Sequence, residues 1–185
     1  MNQVRIIGGL WRSRLLNFPD GEGLRPTPDR VRETLFNWLG QDLSGKFCLD
    51  LFAGAGALGF EAASRGAAKV VLVDHAKSVV RALRKNVDMY EASNIVEIVA
   101  MDALKYPSFH EASGRKRFDV MFLDPPYRQD WLIRLEPWLS GLLEPDAVIY
   151  AEAEFPVAAL GRWQTARQGR AGQVYFHLLR QEQLA

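Results

Sequence analysis

Cysteine is almost absent from this chain of 185 residues, since Cys48 is its only one. A single cysteine excludes an intramolecular disulfide and every zinc site built from a cluster of cysteines. Histidine is nearly as scarce, and His75, His110 and His177 lack the spacing of metal ligands, so we expect no bound metal. The chain also lacks an apolar run of about 18 residues, which a membrane-spanning helix requires.

The first ten residues lack the apolar stretch of a signal peptide, because Arg5 lies within them. Together with the scarcity of cysteine, this predicts a cytoplasmic protein. A length of 185 residues suits one domain with a small extension. Hydrophobic residues make up 48% of the chain and charged residues 24%, which excludes a disordered protein.

Net charge is low as well, at +1, but it is unevenly distributed. The net charge is +2 over residues 1–40, −4 over residues 41–160 and +3 over residues 161–185. All ten cations of the two end segments are arginines, whose side chains suit bidentate phosphate contacts and stacking on bases. The ends are therefore candidates for contact with a nucleic acid, with ordinary solvated surface charge as the alternative.

Beyond residue 46, short apolar strands alternate with segments of helical apolar spacing. Strands are predicted at 47–51, 70–73, 95–100, 118–123 and 148–151, and helices at 58–65, 79–90 and 131–143, the last interrupted at Pro137. A closing hairpin is predicted over residues 163–179, so the last strand should run antiparallel. The alternation predicts a mostly parallel sheet with right-handed crossovers.

The first 40 residues are predicted to form an extension, followed by a larger α/β domain over residues 41–185. Apolar residues on both sides of Gly8-Gly9 indicate two short strands within residues 3–18. Thr27 is predicted to cap a helix that begins at Pro28 and ends near Gly40. We expect the hairpin to fold back over the catalytic residues described below.

A glycine-rich turn follows the first predicted strand of the larger domain. Gly54, Gly56 and Gly59 form a G-x-G-x-x-G run that opens a helix. Such glycines let a ligand approach the backbone, and the start of the helix points free N–H groups at it. The run alone is a weak signal, because a tight turn without a ligand has the same sequence pattern.

Acidic residues follow three successive predicted strands. Asp50 precedes the glycine turn, Asp74 lies 20 residues after Gly54, and Asp102 follows the third strand. An acid at the position of Asp74 binds the ribose hydroxyls of an adenine-containing cofactor, either a dinucleotide or S-adenosylmethionine. Asp50 would repel a pyrophosphate but accept a cationic amino-acid group, and Asp102 could accept the adenine amine. Each acid taken singly suits a helix cap or a turn.

The most specific signal is the segment Asp124-Pro125-Pro126-Tyr127, directly after an apolar strand. The prolines fix the backbone, so that the Pro125 carbonyl and the Asp124 carboxylate form two acceptors facing one point. An exocyclic amine on a planar base offers two N–H donors that fit these acceptors, and Tyr127 would stack on the base. The alternative is a loop that ends the strand and contains an incidental tyrosine.

These motifs resemble the amino-methyltransferase pattern of class I S-adenosylmethionine enzymes, and the segments 5–12 and 24–37 resemble the amino terminus of the RsmD family. The resemblance extends from Arg5 to about Glu152. It implies a Rossmann-like α/β fold with a seven-stranded, mostly parallel sheet and an antiparallel last strand, plus a short N-terminal β-hairpin and helix. It further implies methylation of the exocyclic N2 of one guanine in bacterial small-subunit (16S) rRNA, with S-adenosyl-L-methionine as the cofactor.

The resemblance and the motifs together assign roles to residues. The expected catalytic residues are Asp124, Pro125, Pro126 and Tyr127. The expected cofactor-binding residues are Thr27, Asp50, Phe52, Ala53, Gly54, Gly56, Asp74, His75, Asp102 and Ala103. The expected RNA-binding residues are Arg5, Trp11, Arg12, Arg14 and Arg30. The wider arginine footprint adds Arg162, Arg167 and Arg170, and also Arg25 and Arg32, for which an internal ion pair with Glu33 or Asp29 is the alternative. We expect a monomer whose partner is small-subunit rRNA, free or in an assembling subunit, and no membrane.

Three other functions compete with this interpretation. An amino-methyltransferase of DNA adenine or cytosine, or of a protein glutamine, would use the same chemistry. A nicotinamide dehydrogenase built on the glycine turn would leave the segment 124–127 unexplained. A non-catalytic RNA-binding module would need none of the acids that follow the strands.

Overall fold

The computed structural model describes residues 2–21 and 24–181, which contain ten strands and six α-helices. The strands are β1 (Asn2–Arg5), β2 (Leu15–Phe18), β3 (Phe47–Asp50), β4 (Lys69–Asp74), β5 (Val96–Ala100), β6 (Phe118–Leu123), β7 (Leu143–Ala153), β8 (Ala159–Leu160), β9 (Trp163–Ala171) and β10 (Val174–Gln181). The helices are α1 (Asp29–Leu39), α2 (Ala57–Ser64), α3 (Lys77–Met89), α4 (Tyr106–Ala112), α5 (Trp131–Leu135) and α6 (Leu139–Leu142), with a 3-10 turn at Glu136–Trp138.

The main sheet has the strand order β5-β4-β3-β6-β7-β10-β9-β8. The first five strands are parallel, and β10 runs antiparallel between β7 and β9, as the sequence predicts. The sheet has one strand more than the seven expected, because the two-residue β8 pairs with the start of β9. The chain leaves β3 towards β4 and later returns to its other side as β6. This reversal opens a crevice at the carboxyl ends of the two strands, where ligands bind in such sheets.

The sheet is covered on both faces, so its central strands alternate between two apolar cores. Cys48, Val70 and Phe122 belong to the core shared with α1, α2 and α3. Their neighbours Leu49 and Val71 belong to the core shared with α4, α5 and α6. Each fully buried aliphatic side chain contributes about 1.5–3 kcal/mol to the free energy of folding. The two cores therefore hold the strand ends, and the residues that follow them, in fixed positions.

The N-terminal hairpin packs against α2 and α3, away from the segment 124–127. At the carboxyl end of α2, Ser64 accepts hydrogen bonds from the backbone N–H groups of Leu10 (2.7 Å, to the carbonyl) and Trp11 (2.8 Å, to Oγ). Helix α2 begins at the crevice, so its carboxyl end lies at the other edge of the sheet. The expectation that the hairpin covers the catalytic residues is therefore wrong. Gly8-Gly9 lie in a nine-residue connection, rather than a tight turn.

A buried ionic network joins the hairpin to helices α1 and α2. Glu61 is fully buried and binds Arg32 (3.2 Å between Oε2 and Nη1) and Arg65 (2.9 Å between Oε1 and Nη2). Its Oε2 also accepts the backbone N–H of Ile7 at 2.9 Å. Arg32 forms a further ion pair with Asp29, which confirms the expectation of an internal ion pair for Arg32.

Several local predictions need correction. Thr27 does not cap α1: Pro28 occupies the capping position, and the Thr27 hydroxyl donates to Glu152 instead. Helix α4 has no counterpart among the predicted helices. The predicted helix over 131–143 breaks into α5, the 3-10 turn and α6 at Pro137, as its proline suggests. No helix within the described residues is long and apolar enough to cross a membrane.

Candidate active site

Six acidic side chains line one cavity of about 780 Å³, and all of them except Asp20 lie at the carboxyl edge of the parallel strands. Asp50 and Asp74 end β3 and β4, Asp102 and Asp124 follow β5 and β6, and Glu152 lies one residue before the end of β7. The sequence motifs predict the first four. They do not mark Glu152, although it directly follows the predicted strand 148–151 and so continues the same pattern.

The cavity contains the predicted catalytic segment and nearly all the predicted cofactor-binding residues. Its lining includes Thr27, Asp50, Phe52, Ala53, Gly54, Asp74, His75, Asp102, Ala103, Asp124, Pro125, Pro126 and Tyr127. Gly56 is the exception among them, although its neighbours Ala55 and Ala57 both line the cavity, and its role in cofactor binding stays a prediction. It has a φ of 77°, and a Cβ at this position would lie 2.7 Å from Leu83 Cδ2. Gly56 therefore allows the turn to pack closely on α3.

Asp74 holds the glycine turn from the end of β4. Its Oδ2 accepts the Gly54 N–H at 3.0 Å and its Oδ1 accepts the Ala76 N–H at 2.8 Å. Each carboxylate oxygen can accept a further hydrogen bond, so this half-buried side chain can still bind ribose hydroxyls. Asp102 likewise accepts the Leu104 N–H at 2.8 Å and lines the cavity. In both residues the turn role and the ligand role are compatible.

Asp50 is buried at the base of the cavity, with 2% of its surface exposed. Burial and the nearby Asp74 raise the pKa of its carboxyl to about 7, although the hydrogen bond from the Gly59 N–H stabilises the charged form and lowers the pKa. A cation placed in the cavity would favour the ionised form. The environment of Asp50 thus fits a positively charged ligand group.

Asp124 and Glu152 form a second acidic pair near Asp50. Burial and the charges of Glu152 and Asp50 hold the pKa of Asp124 well above its ordinary value, against the effect of the Thr27 hydroxyl. Burial also raises the pKa of Glu152. Glu152 Oε1 accepts hydrogen bonds from the hydroxyls of Thr27 and Tyr150, both at 2.8 Å. This side of the cavity can therefore accept protons or the N–H groups of a ligand.

A second cavity of about 460 Å³ adjoins the first and shares with it Pro125, Pro126, Tyr127, Trp131 and Glu152. Its lining includes three exposed apolar side chains, Tyr127 (46% exposed), Ile133 (64%) and Phe155 (54%). Burial and the charges of Asp124, Glu152 and Glu154 raise the pKa of Tyr127 to about 12, so its phenol stays neutral. An open cavity with flat apolar side chains suits a planar ring.

The predicted RNA-binding residues do not form one surface with the cavities. Trp11 is buried against Phe60 and Tyr90, with ring centroids 6.3 and 5.0 Å away, so its assignment as an RNA contact is wrong. Arg14 stacks over Tyr90 at 4.1 Å, on the hairpin side. Arg5 and Arg12 are exposed on the hairpin, whereas Arg30 is exposed on α1, beside the cavity-lining Val31. Arg25, a candidate for RNA contact or for an internal ion pair, is exposed and lines the larger cavity.

Comparison with known proteins gives consistent matches over nearly the whole chain. The family model described as Conserved hypothetical protein 95 matches residues 4–180. Ribosomal RNA small subunit methyltransferase D of Escherichia coli (strain K12) is 42% identical, over 97% of this chain and 91% of that protein. The protein of the same name from Haemophilus influenzae is 40% identical, over 95% and 93%.

Solved structures agree with this match. The Escherichia coli protein yhhF superimposes with a TM-score of 0.82 at 40% identity, over 98% of this chain and 99% of that chain. The RNA methyltransferase of Salinibacter ruber, solved in complex with S-adenosyl-L-homocysteine, shares the fold with a TM-score of 0.65 at 20% identity, over 87% and 97%. Because the family model and these relatives match nearly the whole chain, the chain belongs to the RsmD family of methyltransferases, which the model named Conserved hypothetical protein 95 describes.

Proposed function

We propose that this protein transfers the methyl group of S-adenosyl-L-methionine to the exocyclic N2 amine of a guanine in small-subunit (16S) rRNA. One observation carries the proposal. Asp124 and the following Pro125–Tyr127 lie where a cavity lined by carboxylates meets an open cavity with apolar walls. Relatives 40% and 42% identical are named as small-subunit rRNA methyltransferases, which supports rRNA as the substrate class.

The larger cavity fits the cofactor on the chemistry of its donors. Asp74 would bind the ribose hydroxyls and Asp102 the adenine amine, while the buried Asp50 would pair with the amino-acid ammonium group. A buried carboxyl whose pKa is raised to about 7 favours a cationic ligand, because a nearby positive charge stabilises its ionised form. When bound, S-adenosyl-L-methionine supplies an electrophilic methyl group, so no metal is required for the chemistry.

The smaller cavity would receive the target base after it leaves its stack. Tyr127 would lie against the ring, while the Asp124 carboxylate and the Pro125 carbonyl accept the two N–H bonds of the amine. Guanine fits a site rich in carboxylates, since its N1–H and N2 amine are adjacent donors. In adenine and cytosine the ring nitrogen next to the amine is an acceptor and would face the carboxylates unfavourably. This difference favours guanine over the alternative of a DNA adenine or cytosine substrate.

Catalysis then depends on positioning and on proton acceptance by this chain's own residues. The lone pair of a guanine N2 is delocalised into the ring, and acceptance of both N–H bonds localises it on the nitrogen. Fixing the amine in line with the methyl group supplies much of the rate enhancement. As the new N–C bond forms, Asp124 takes the proton that N2 loses.

The experiment that tests the function is transfer of a tritiated methyl group to small subunits, free 16S rRNA, DNA and protein, followed by nucleoside and amino-acid analysis. We expect label in N2-methylguanosine from the rRNA samples. Label in N6-methyladenine, a methylated cytosine or methylglutamine would contradict the proposal, and binding of NAD in place of S-adenosyl-L-methionine would favour a dehydrogenase. We further propose that the protein acts as a cytoplasmic monomer, with residues 1–40 facing the RNA.

A further inference from the structure

Among the five acids at the ends of parallel strands, Glu152 is the one that no sequence motif marks, and its surroundings are unusual. Only 6% of its surface is exposed, yet it lines both cavities. Its Oε1 receives the hydroxyl protons of Thr27 and Tyr150, each at 2.8 Å. Its Oε2 accepts no hydrogen bond from any residue in the described part of the chain. The carboxylate is thus held firmly by one oxygen, and the other remains available.

The charges of both signs around Glu152 matter for its role. Its own charge raises the pKa values of Asp124, Tyr127 and Tyr150, and Asp50 adds to the effect on Asp124. Two arginines also line the cavities: Arg25 the larger, and Arg128 the smaller, where its Nε lies 3.9 Å from Oε1 of Glu154. The Thr27 hydroxyl donates its one proton to Glu152, and it also lies close enough to Asp124 to lower the pKa of that carboxyl. Thr27 thereby connects the two carboxyl groups.

We propose that Glu152 acts through Asp124 as a positioning residue that holds the released proton within the Asp124–Glu152 pair. This inference rests on the proposed function. Methyl transfer to N2 forms an N–C bond, breaks the bond between sulfur and the methyl carbon, and releases one proton from N2. That proton forms an O–H bond on Asp124, and a relay through the Thr27 hydroxyl moves it to Glu152.

Charge balance gives the physical reason for such a pair. The positive charge of the sulfonium disappears in the same step in which the proton is released. If the proton stays on the pair, the net charge of the site does not change. In a buried site of low dielectric, an uncompensated change of charge is costly. Two carboxyl groups joined through one hydroxyl can hold one proton without losing their remaining negative charge.

The first test is an NMR titration of the carboxyl carbons in the unliganded protein. In Glu152→Gln the amide oxygen still accepts from Thr27 and Tyr150, but the charge is gone. We expect the titration midpoint of Asp124 to fall by about one pH unit, which is about a tenfold loss of proton affinity. Glu144→Gln, near the opposite end of the same strand, is the matched control and should leave the midpoint unchanged. An unchanged Asp124 midpoint in folded Glu152→Gln would overturn the proposal.

The second test is the pH dependence of single-turnover methylation. In Glu152→Gln we expect the acid limb of the profile to move to lower pH and the plateau rate to fall about tenfold, with cofactor affinity unchanged. Glu152→Asp keeps a carboxyl group and should restore most of the plateau. A uniform loss of rate with an unshifted profile would indicate a purely structural role. The two proposals can fail separately. If the NMR titration shows that Asp124 and Glu152 are coupled, but the protein does not methylate guanine, the proposed function is refuted and the coupling of the pair stands.

Discussion

At the scale of single residues, the acids of this site hold backbone groups in place, and we propose that they also bind the ligand. Asp74 is the clearest case, because its two oxygens already hold the backbone of Gly54 and Ala76. We expect Asp74→Ala to weaken binding of S-adenosyl-L-methionine by about 1.5–3 kcal/mol, the scale of hydrogen bonds to a charged group. Calorimetric titration measures this, with the exposed Asp88→Ala on α3 as the control. Unchanged affinity in a folded variant would leave Asp74 with its turn contacts alone.

Replacing Asp124 should slow methyl transfer without weakening cofactor binding. Asp124 follows a different strand from the proposed ribose contact, and in the proposed mechanism it accepts from the amine of the base. We expect Asp124→Ala to lose at least about a hundredfold in single-turnover rate at saturating RNA, the lower range for a general base. Its affinity for S-adenosyl-L-methionine should stay within a few-fold of the wild-type value. A variant that keeps more than about a tenth of the rate is incompatible with this role.

Asp50 should make the unliganded protein less stable as the pH rises. The pKa of its carboxyl is about 7 in the folded state against an ordinary value of 3.8, so between these pH values the folded state binds the extra proton. The free energy of unfolding therefore falls with increasing pH across this window, by up to about 4 kcal/mol. Asp50→Asn should remove that contribution, and so be more stable than the wild type at pH 8 but not at pH 4, while it binds the cofactor less tightly. Urea unfolding at both pH values checks this, and an identical pH dependence in the variant would contradict it.

The residue-level predictions succeeded where a local pattern fixed the geometry. Four acids could be predicted because the residue after a parallel strand always lies at the ligand edge of the sheet. Glu152 obeys the same rule, but β7 extends to Ala153 through its pairing with β10, and no glycine or proline marks the place. Trp11 was misassigned because its burial depends on Phe60 and Tyr90, which are distant in the sequence.

At the scale of elements, Glu61 fixes the hairpin, α1 and α2 to one another. It is fully buried with two arginines and one backbone N–H as partners. We expect Glu61→Ala to lower the free energy of unfolding by about 3–5 kcal/mol, because it leaves buried positive charges unpaired. The exposed Glu111→Ala on α4 is the control in urea unfolding. A loss below about 1 kcal/mol would mean that water or other groups replace the carboxylate.

Elements with a strong apolar period were predicted within a few residues, and short elements were not. Helix α4 spans seven residues with Pro107 in its first turn, and its length allows no clear period. The two-residue β8 exists only by pairing with β9. Thr27 suits a helix cap by its type and position, but a buried carboxylate 125 residues later takes its hydroxyl. For β8 and Thr27, a distant contact decided the local structure.

At the scale of the whole molecule, the arginines of the hairpin lie at the opposite edge of the sheet from the cavities. If the RNA reaches them, it must follow the outer face of α2 and α3. We expect Arg12→Ala with Arg14→Ala to reduce the slope of log affinity against log salt by about one unit, since each phosphate contact on single strands contributes about 0.7. The KM for RNA should rise and cofactor binding should not change.

The matched comparison is Arg25→Ala with Arg30→Ala, two exposed arginines beside the larger cavity. A wild-type slope and KM in the Arg12 and Arg14 variant, together with a reduced slope in this second variant, would restrict the RNA contacts to the cavity side.

The overall fold and the methyltransferase family could be predicted from the sequence, since both depend on motifs at strand ends. The route of the RNA could not, because net charge per segment does not report where a hairpin packs.

Residues 19–21 and 24–28 line the larger cavity, and the described residues on both sides of them are held by hydrogen bonds. Just before them, Asn17 and Asn86 exchange two hydrogen bonds of 3.1 and 2.9 Å. Just after them, buried Arg32 donates to the Thr27 carbonyl at 3.0 Å. These two contacts fix where residues 19–21 and 24–28 stand against the cavity, although neither contact lies among the acids at the strand ends. The shape of the larger cavity therefore depends on helices α1 and α3, which hold its edge from outside.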